Sequence, residues 1–335
     1  MIANRILSGL AYFVIIVTGL KLGSSIILPF LMALLLFVIF LPFVVKLNKF
    51  GLPSTISALI TFIIILVGIF LLGLFLTTFS NEIINNIPTY QKKFYQTTPQ
   101  IIAFLEQFDI SFQWKSVISL IEPVKIVNYT TTLFTSMGNV LVNILLTLAL
   151  VVFLLLESSL ISEKTFYFAR TEEQKEKIDI FLKSINRYFL IKTFTSALTG
   201  LFIFILLKFF NLQYALLFAV LAFLLNYIPS IGSFIAAFPA LFVAILQLNF
   251  VETSIIAIGY IVVNILIGNF IEPKIMGKDL GLSTFVVFIS MVIWGWILGP
   301  FGMLLAVPLT IIIKIICDNS EDYHWVSVML KDKAI

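Results

Sequence analysis

Glu272 is the carboxylate in this sequence best placed to do chemistry beside a long apolar run. It follows a full apolar run, stands directly before Pro273 and opens the segment Glu272-Pro273-Lys274-Ile275-Met276-Gly277-Lys278-Asp279. Burying a charge at membrane depth is costly, so an acid there is a functional candidate by default. Its carboxylate could bind a cation, exchange a proton or hydrogen-bond a polar solute. The competing reading is an interfacial acid paired with Lys274 or Lys278. Glu157 and Glu252 also stand at the ends of apolar runs, where an interfacial place accounts for them. Asn226, Asn264 and Asn269 interrupt further apolar runs. An amide without a partner is expensive in such surroundings, so these three either line a polar path or bond neighbouring helices together.

Other chemistry has little raw material. There is one cysteine, Cys317, and one histidine, His324, so neither an internal disulfide nor a histidine-rich metal site can be assembled. No G-x-x-x-x-G-K-[ST] run is present to cradle a nucleotide. No nucleophile–base pair or metal-ligand cluster stands out, so an enzyme is not expected.

The elements that must position these residues follow from composition. Of 335 residues, 61% are hydrophobic and 11% charged, with a mean hydropathy of +1.13. A soluble domain holds about 45–50% apolar and about 25% charged residues. The expectation is an all-α polytopic protein whose main partner is the lipid bilayer. Ten-residue alternation of apolar and polar residues, the mark of a membrane β-barrel, is absent. The formal charge of +4 reads as a topology signal, and without a basic-aromatic surface it does not point to nucleic acid.

About 20 helical residues cross a hydrocarbon core of about 30 Å. Charge-free intervals place passes at Ile6–Leu20, Leu22–Val45 (with Pro29 in its first turns), Ile56–Phe79, Leu133–Leu156 and Thr253–Ile271, and a further pass fits between Phe189 and Leu207. Two other intervals, Phe209–Val251 and Leu280–Ile313, carry no charge and are too long for one helix. Each contains the means to break. The first has Asn226-Tyr227-Ile228-Pro229-Ser230-Ile231-Gly232, with Pro239 beyond; the second has Gly295, Gly299-Pro300, Gly302 and Pro308. Proline removes a backbone donor and glycine relaxes the chain, so each becomes two legs or a broken helix. Gly232…Ala236…Pro239 and Gly302…Ala306…Pro308 share an order, either by chance or because these are related, interrupted hairpins of the kind found at carrier sites.

Two regions face water. Residues 80–132 form the longest polar insertion and read as a small helical cap or a solvated loop domain. In residues 157–188, Thr171-Glu172-Glu173-Gln174 matches a capping box. Ile178, Phe181, Leu182, Ile185 and Phe189 then recur at helical spacing, with Asp179 and Lys183 four apart on the polar side. This amphipathic helix, anchoring or coupling, leads straight into the next pass. The organisation is therefore 1–79 (three passes), 80–132 (extracytoplasmic insertion), 133–156 (a fourth), 157–188 (cytoplasmic amphipathic region), 189–317 (core with broken helices) and 318–335 (tail). Lysine and arginine placement puts both termini and residues 164–187 in the cytoplasm. The first apolar run lacks a small-residue cleavage site and reads as a pass rather than a signal peptide. Gly9, Gly19 and Gly73 permit close helix approach and suggest a homo-oligomer.

The late motifs resemble a known family. Asn226-Tyr227-Ile228-Pro229-Ser230-Ile231-Gly232…Pro239 is one hallmark. The other is Ile267-Gly268-Asn269-Phe270-Ile271-Glu272-Pro273…Gly277…Leu280-Gly281-Leu282-Ser283, followed by Trp294-Gly295-Trp296…Gly299-Pro300…Gly302…Ala306…Pro308. Together they resemble the autoinducer-2 exporter (AI-2E) family. The resemblance implies a bacterial inner-membrane transporter with about eight spans and no cofactor, exporting a small polar solute such as autoinducer-2 or exchanging sodium or lithium for protons. Pro229, Gly232, Gly299, Pro300 and Gly302 would then bend the backbone of a solute path, with Asn226, Asn264, Asn269, Glu272 and Pro273 beside it. A third reading is a non-transporting scaffold that gathers partners through its polar regions.

Overall fold

The computed structural model describes residues 14–86, 146–158, 171–229, 231–276, 282–318 and 324–330, with 89, 92, 93, 96 and 132. Most of the expected cap at 80–132 and the first part of the expected Leu133–Leu156 pass lie outside them. The described residues show an all-α, polytopic membrane protein. Helices α1 (Ser24–Lys49), α2 (Ser54–Asn85), α3 (Leu146–Leu156) and α4 (Glu172–Phe209) are followed by α5 (Ala215–Leu225), α6 (Gly232–Gln247) and α7 (Phe250–Ile265). A π-helical turn, Leu266–Ile271, joins α7 to the short α8 (Glu272–Met276); α9 (Thr284–Leu298), α10 (Pro300–Asp318) and α11 (His324–Leu330) complete the order. Among the described residues, Ser24–Lys49, Ser54–Thr78, Ile178–Phe209, Phe250–Ile275 and Pro300–Asp318 are long and apolar enough to cross a membrane.

Helix ends follow local chemistry. Asn249 caps α7: its side chain accepts from the Glu252 N–H at 2.8 Å while the Glu252 carboxylate accepts from the Asn249 N–H. Glu252, at an apolar run's edge, is thus half of a reciprocal capping box. Helix α4 begins directly after Thr171 and continues unbroken through the amphipathic stretch into the next pass. Ile185 and Phe189 are buried, and the Lys183–Asp179 pair forms at 2.6 Å on the exposed side. The expected boundary at Lys21 is different. Residues 14–22 are helical and abut α1 at Gly23, whose N–H donates to Gly19 O and whose carbonyl accepts from Ile27. One lysine in an apolar run did not force a loop; it bends over the Trp296 ring, 3.6 Å from its centroid, a favourable place for an ammonium.

The described residues fall into two compact units. One draws on residues 1–66, 144–191 and 276–335. In it α9 and α10 lie against each other, and α11 returns onto α10, where the Ser327 hydroxyl donates to the Asp318 carboxylate. The other draws on residues 67–143 and 192–275. Its core joins Leu76, Ile203 and Leu207 to Leu217, Phe218, Leu221, Ile256 and Tyr260, with Ala236, Ala240 and Ala244 of α6 between them. Alanines let helix backbones approach closely, which is how apolar helices pack where lipid is as oily as their own side chains.

Candidate functional site

The polar centre of the second unit is built on one face of α4. Lys192, Thr195, Ser196 and Thr199 recur at helical spacing and all are buried. The Thr199 hydroxyl bonds the Thr195 carbonyl in the turn below, while the Thr195 hydroxyl has both the Lys192 carbonyl and Glu272 within reach of its one proton. What remains exposed to neighbours is an ammonium and a row of hydroxyl oxygens.

Two other segments meet this row. From one side comes the end of α5. Gly200 on α4 admits it, since a Cβ there would stand 3.1 Å from Ala219 O and 3.2 Å from Phe223 Cβ. Past that contact, the Asn226 amide donates to Ser196 Oγ at 3.0 Å, and the Tyr227 hydroxyl donates to Thr193 Oγ1 at 2.7 Å. From the other side comes Glu272. Lys192 Nζ donates to both its oxygens, at 2.7 and 2.9 Å, and the Thr195 hydroxyl donates to Oε2 at 3.3 Å. The ion pair is shielded, with side chains 5% and 16% exposed. Among the described residues the ion-pair partner of Glu272 is Lys192; Lys274 is exposed, and Lys278 lies outside the described residues.

Backbone geometry aims Glu272 at this place. Pro273 has no N–H for the carbonyl four residues back, and the ladder ahead of it widens into a π turn in which the Glu272 N–H bonds Ile267 O. In an α-helix, five residues would carry a side chain roughly 140° around the axis at 3.6 residues per turn. Closing the turn over five residues instead returns Glu272 above Ile267, on the buried face that also carries Thr253, Ile256 and Tyr260. Single π turns of this kind recur at functional sites.

The helices also agree in register. Gly259 on α7 packs against Leu206, where a Cβ would come within 2.5 Å of Leu206 Cδ2. Moving on to Glu272 goes with moving back along α4 to Lys192, so the two run antiparallel. Tyr260 and Asn264 lie between those levels, four residues apart. The Tyr260 hydroxyl and the Asn264 amide nitrogen are buried with no hydrogen-bond partner among the described residues.

The two expected interruptions are sharp turns between packed helices. Helix α5 ends at Leu225 and α6 begins at Gly232, with Pro229 buried between them. Gly232 touches the preceding helix so closely that a Cβ would sit 1.8 Å from Leu225 O. Between α9 and α10 only Gly299 is non-helical, at φ +71, and Pro300 starts the next helix. Gly302 repeats the close approach, where a Cβ would sit 2.0 Å from Trp294 O. Ala236 and Ala306 then face inward, both fully buried, ahead of the buried Pro239 and Pro308.

Of the candidates read from sequence, Asn226 and Glu272 thus meet one short stretch of α4, with Pro229 and Gly232 in the adjoining turn. Asn264 lies in the same unit, and its amide nitrogen has no partner among the described residues. Asn269 and Pro273 belong to the π turn and its exit, and both are exposed. Gly299, Pro300 and Gly302 belong to the α9–α10 turn of the other unit. Sequence reasoning missed Lys192, Thr193, Thr195, Ser196 and Tyr227. The signal available was the polar stripe at positions 192, 195, 196 and 199 inside an otherwise apolar pass. Among the described residues no group of three or more His, Cys, Asp or Glu side chains could hold a metal ion.

The sequence profile of the AI-2E family transporters matches residues 10–322. A putative transport protein of Haemophilus influenzae is 36% identical over 337 residues, covering 98% of this chain and 97% of that protein. The AI-2 transport protein TqsA of Escherichia coli K12 is 35% identical over 329 residues, covering 98% and 96%. The putative transport protein YhhT of the same strain is 32% identical over 328 residues, covering 97% and 94%. The chain belongs to the AI-2E family of membrane transporters.

Proposed function

We propose that this protein exports a small polar solute, such as autoinducer-2, and that the solute passes the buried row on α4. The observation that carries the reading is convergence. Lys192, Thr195 and Ser196 of α4 meet Glu272 and Asn226, which come from two other segments. Such a cluster of polar groups is expensive among apolar helices unless it is used. The relative named as an AI-2 transport protein, similar over nearly its whole length, supports the choice of solute.

The α5–α6 and α9–α10 pairs act in this proposal as related re-entrant hairpins, the devices that frame solute sites in secondary carriers. The protein lies in the bacterial inner membrane with about eight spans and both termini in the cytoplasm, as lysine and arginine placement favours. The test is efflux of labelled autoinducer-2 from cells and proteoliposomes with and without the protein. Outward flux that disappears in the Glu272→Gln and Asn226→Ala variants supports the proposal. Equal flux in empty and protein-containing vesicles, for autoinducer-2 and for other small polyols, overturns it.

A further inference from the structure

A carboxylate among apolar helices must be neutralised, and there are three ways to do it: a proton, a mobile metal cation or a tethered ammonium. The pair in α4 and α8 uses the third. Both Glu272 oxygens receive Lys192 Nζ, at 2.7 and 2.9 Å, and Oε2 also receives the Thr195 hydroxyl. Lys192 is held in place from below, because α4 is continuous from Glu172 to Phe209 and its neighbours Thr195 and Ser196 are buried. Glu272 is held by the π turn that returns it to the buried face. The ammonium therefore occupies the position an alkali cation would take between carboxylate and hydroxyl oxygens.

We infer that Lys192 is the resident counter-ion of Glu272 and sets the charge selectivity of the site. With Lys192 in place the site carries no net charge. It accepts a neutral polar solute and leaves no opening for sodium or lithium at Glu272. This inference rests on the transport reading above, but its physical core, the exclusion of an alkali cation by Lys192, does not require that any particular solute move.

Removing the ammonium without removing the carboxylate exposes the difference. In Lys192→Met the methionine fills much of the lysine stem's volume but brings no charge, and Glu272 with the Thr195 hydroxyl becomes an oxygen site seeking a cation. The experiment uses the full-length protein in nanodiscs, titrated with sodium chloride against choline chloride and read by calorimetry. The parallel readout is autoinducer-2 efflux from proteoliposomes in the two salts. Wild type shows no sodium binding at this site and the same efflux in both salts. Lys192→Met binds sodium with a Kd at least about tenfold below the highest concentration at which wild type shows no binding, equivalent to about 1.4 kcal/mol, and its efflux becomes sodium-dependent. Lys192→Met/Glu272→Gln loses the sodium response again, which separates counter-ion exchange from misfolding. The inference is overturned if wild type already binds sodium with loss on Glu272→Gln, or if Lys192→Met binds no more sodium than wild type. If no efflux is seen in any variant, the transport reading fails while the titration still decides the role of Lys192.

Discussion

Lys192 and Glu272, eighty residues apart in sequence, form a two-pronged ion pair in the interior of the second unit, with Nζ at 2.7 and 2.9 Å from the two carboxylate oxygens. Breaking such a pair from one side strands a charge away from water. Breaking it from both sides leaves only packing to repair. Glu272→Gln or Lys192→Met alone should therefore cost about 3–5 kcal/mol of stability, whereas an apolar pair of similar volume should be near neutral. Reversible unfolding of the purified protein in mixed micelles, run as a double-mutant cycle, measures the coupling. Additive single losses would contradict the pairing.

The π turn makes the second prediction. Pro273→Ala supplies the missing N–H opposite Asn269 O and permits an ordinary α ladder. Glu272 then swings away from Lys192. Autoinducer-2 efflux should fall about as far as in Glu272→Gln, and the coupling energy of the Lys192–Glu272 cycle should collapse in this background. An undiminished coupling would show that the π turn does not aim the carboxylate.

Two glycines are fixed by contact with a carbonyl oxygen. Gly232→Ala and Gly302→Ala place a methyl within 1.8 Å of Leu225 O and 2.0 Å of Trp294 O. Each should destabilise by at least about 1–3 kcal/mol as the paired helices are forced apart, and efflux should be lost. Gly68, whose Cβ would meet nothing within 4 Å, is the control. Its alanine variant should keep both stability and efflux, as read by thermal unfolding and by the vesicle assay.

The capping box at α7 tests stability apart from transport. Asn249→Ala removes the acceptor for the Glu252 N–H and should cost about 1 kcal/mol. Efflux per folded molecule should not change. A transport defect in well-folded Asn249→Ala protein would place this end of α7 in the path.

Much of this architecture was legible because it depends on short-range pattern. The start of α4 after Thr171, its continuation into a pass and the Asp179–Lys183 pair all follow from helical spacing within a few residues. So do the helix ends at Leu225 and Leu298, ahead of Pro229 and of Gly299 with its positive φ. Glu272 stood out because an acid after a full apolar pass is rare. Its partner did not, because nothing local ties Lys192 to a residue eighty positions later, and a lysine near the start of a pass reads as an interfacial cation. The π turn was hidden for the same reason: one added residue per turn leaves composition unchanged and alters only where a side chain points. Lys21 misled in the opposite direction, since its charge suggested a loop where the aromatic face of Trp296 receives it within continuing helix.

The reversal at Gly299 has one non-helical residue, and it lies between the last residue of α9 and the proline that opens α10. Bending at a joint requires spare torsions to absorb the change, and here one glycine holds them all while its neighbour Gly302 is locked against Trp294 O. The two arms are a stiff fork. Whatever displacement this part of the protein undergoes during a working cycle, the prongs travel together, and the flexing must happen at their far ends.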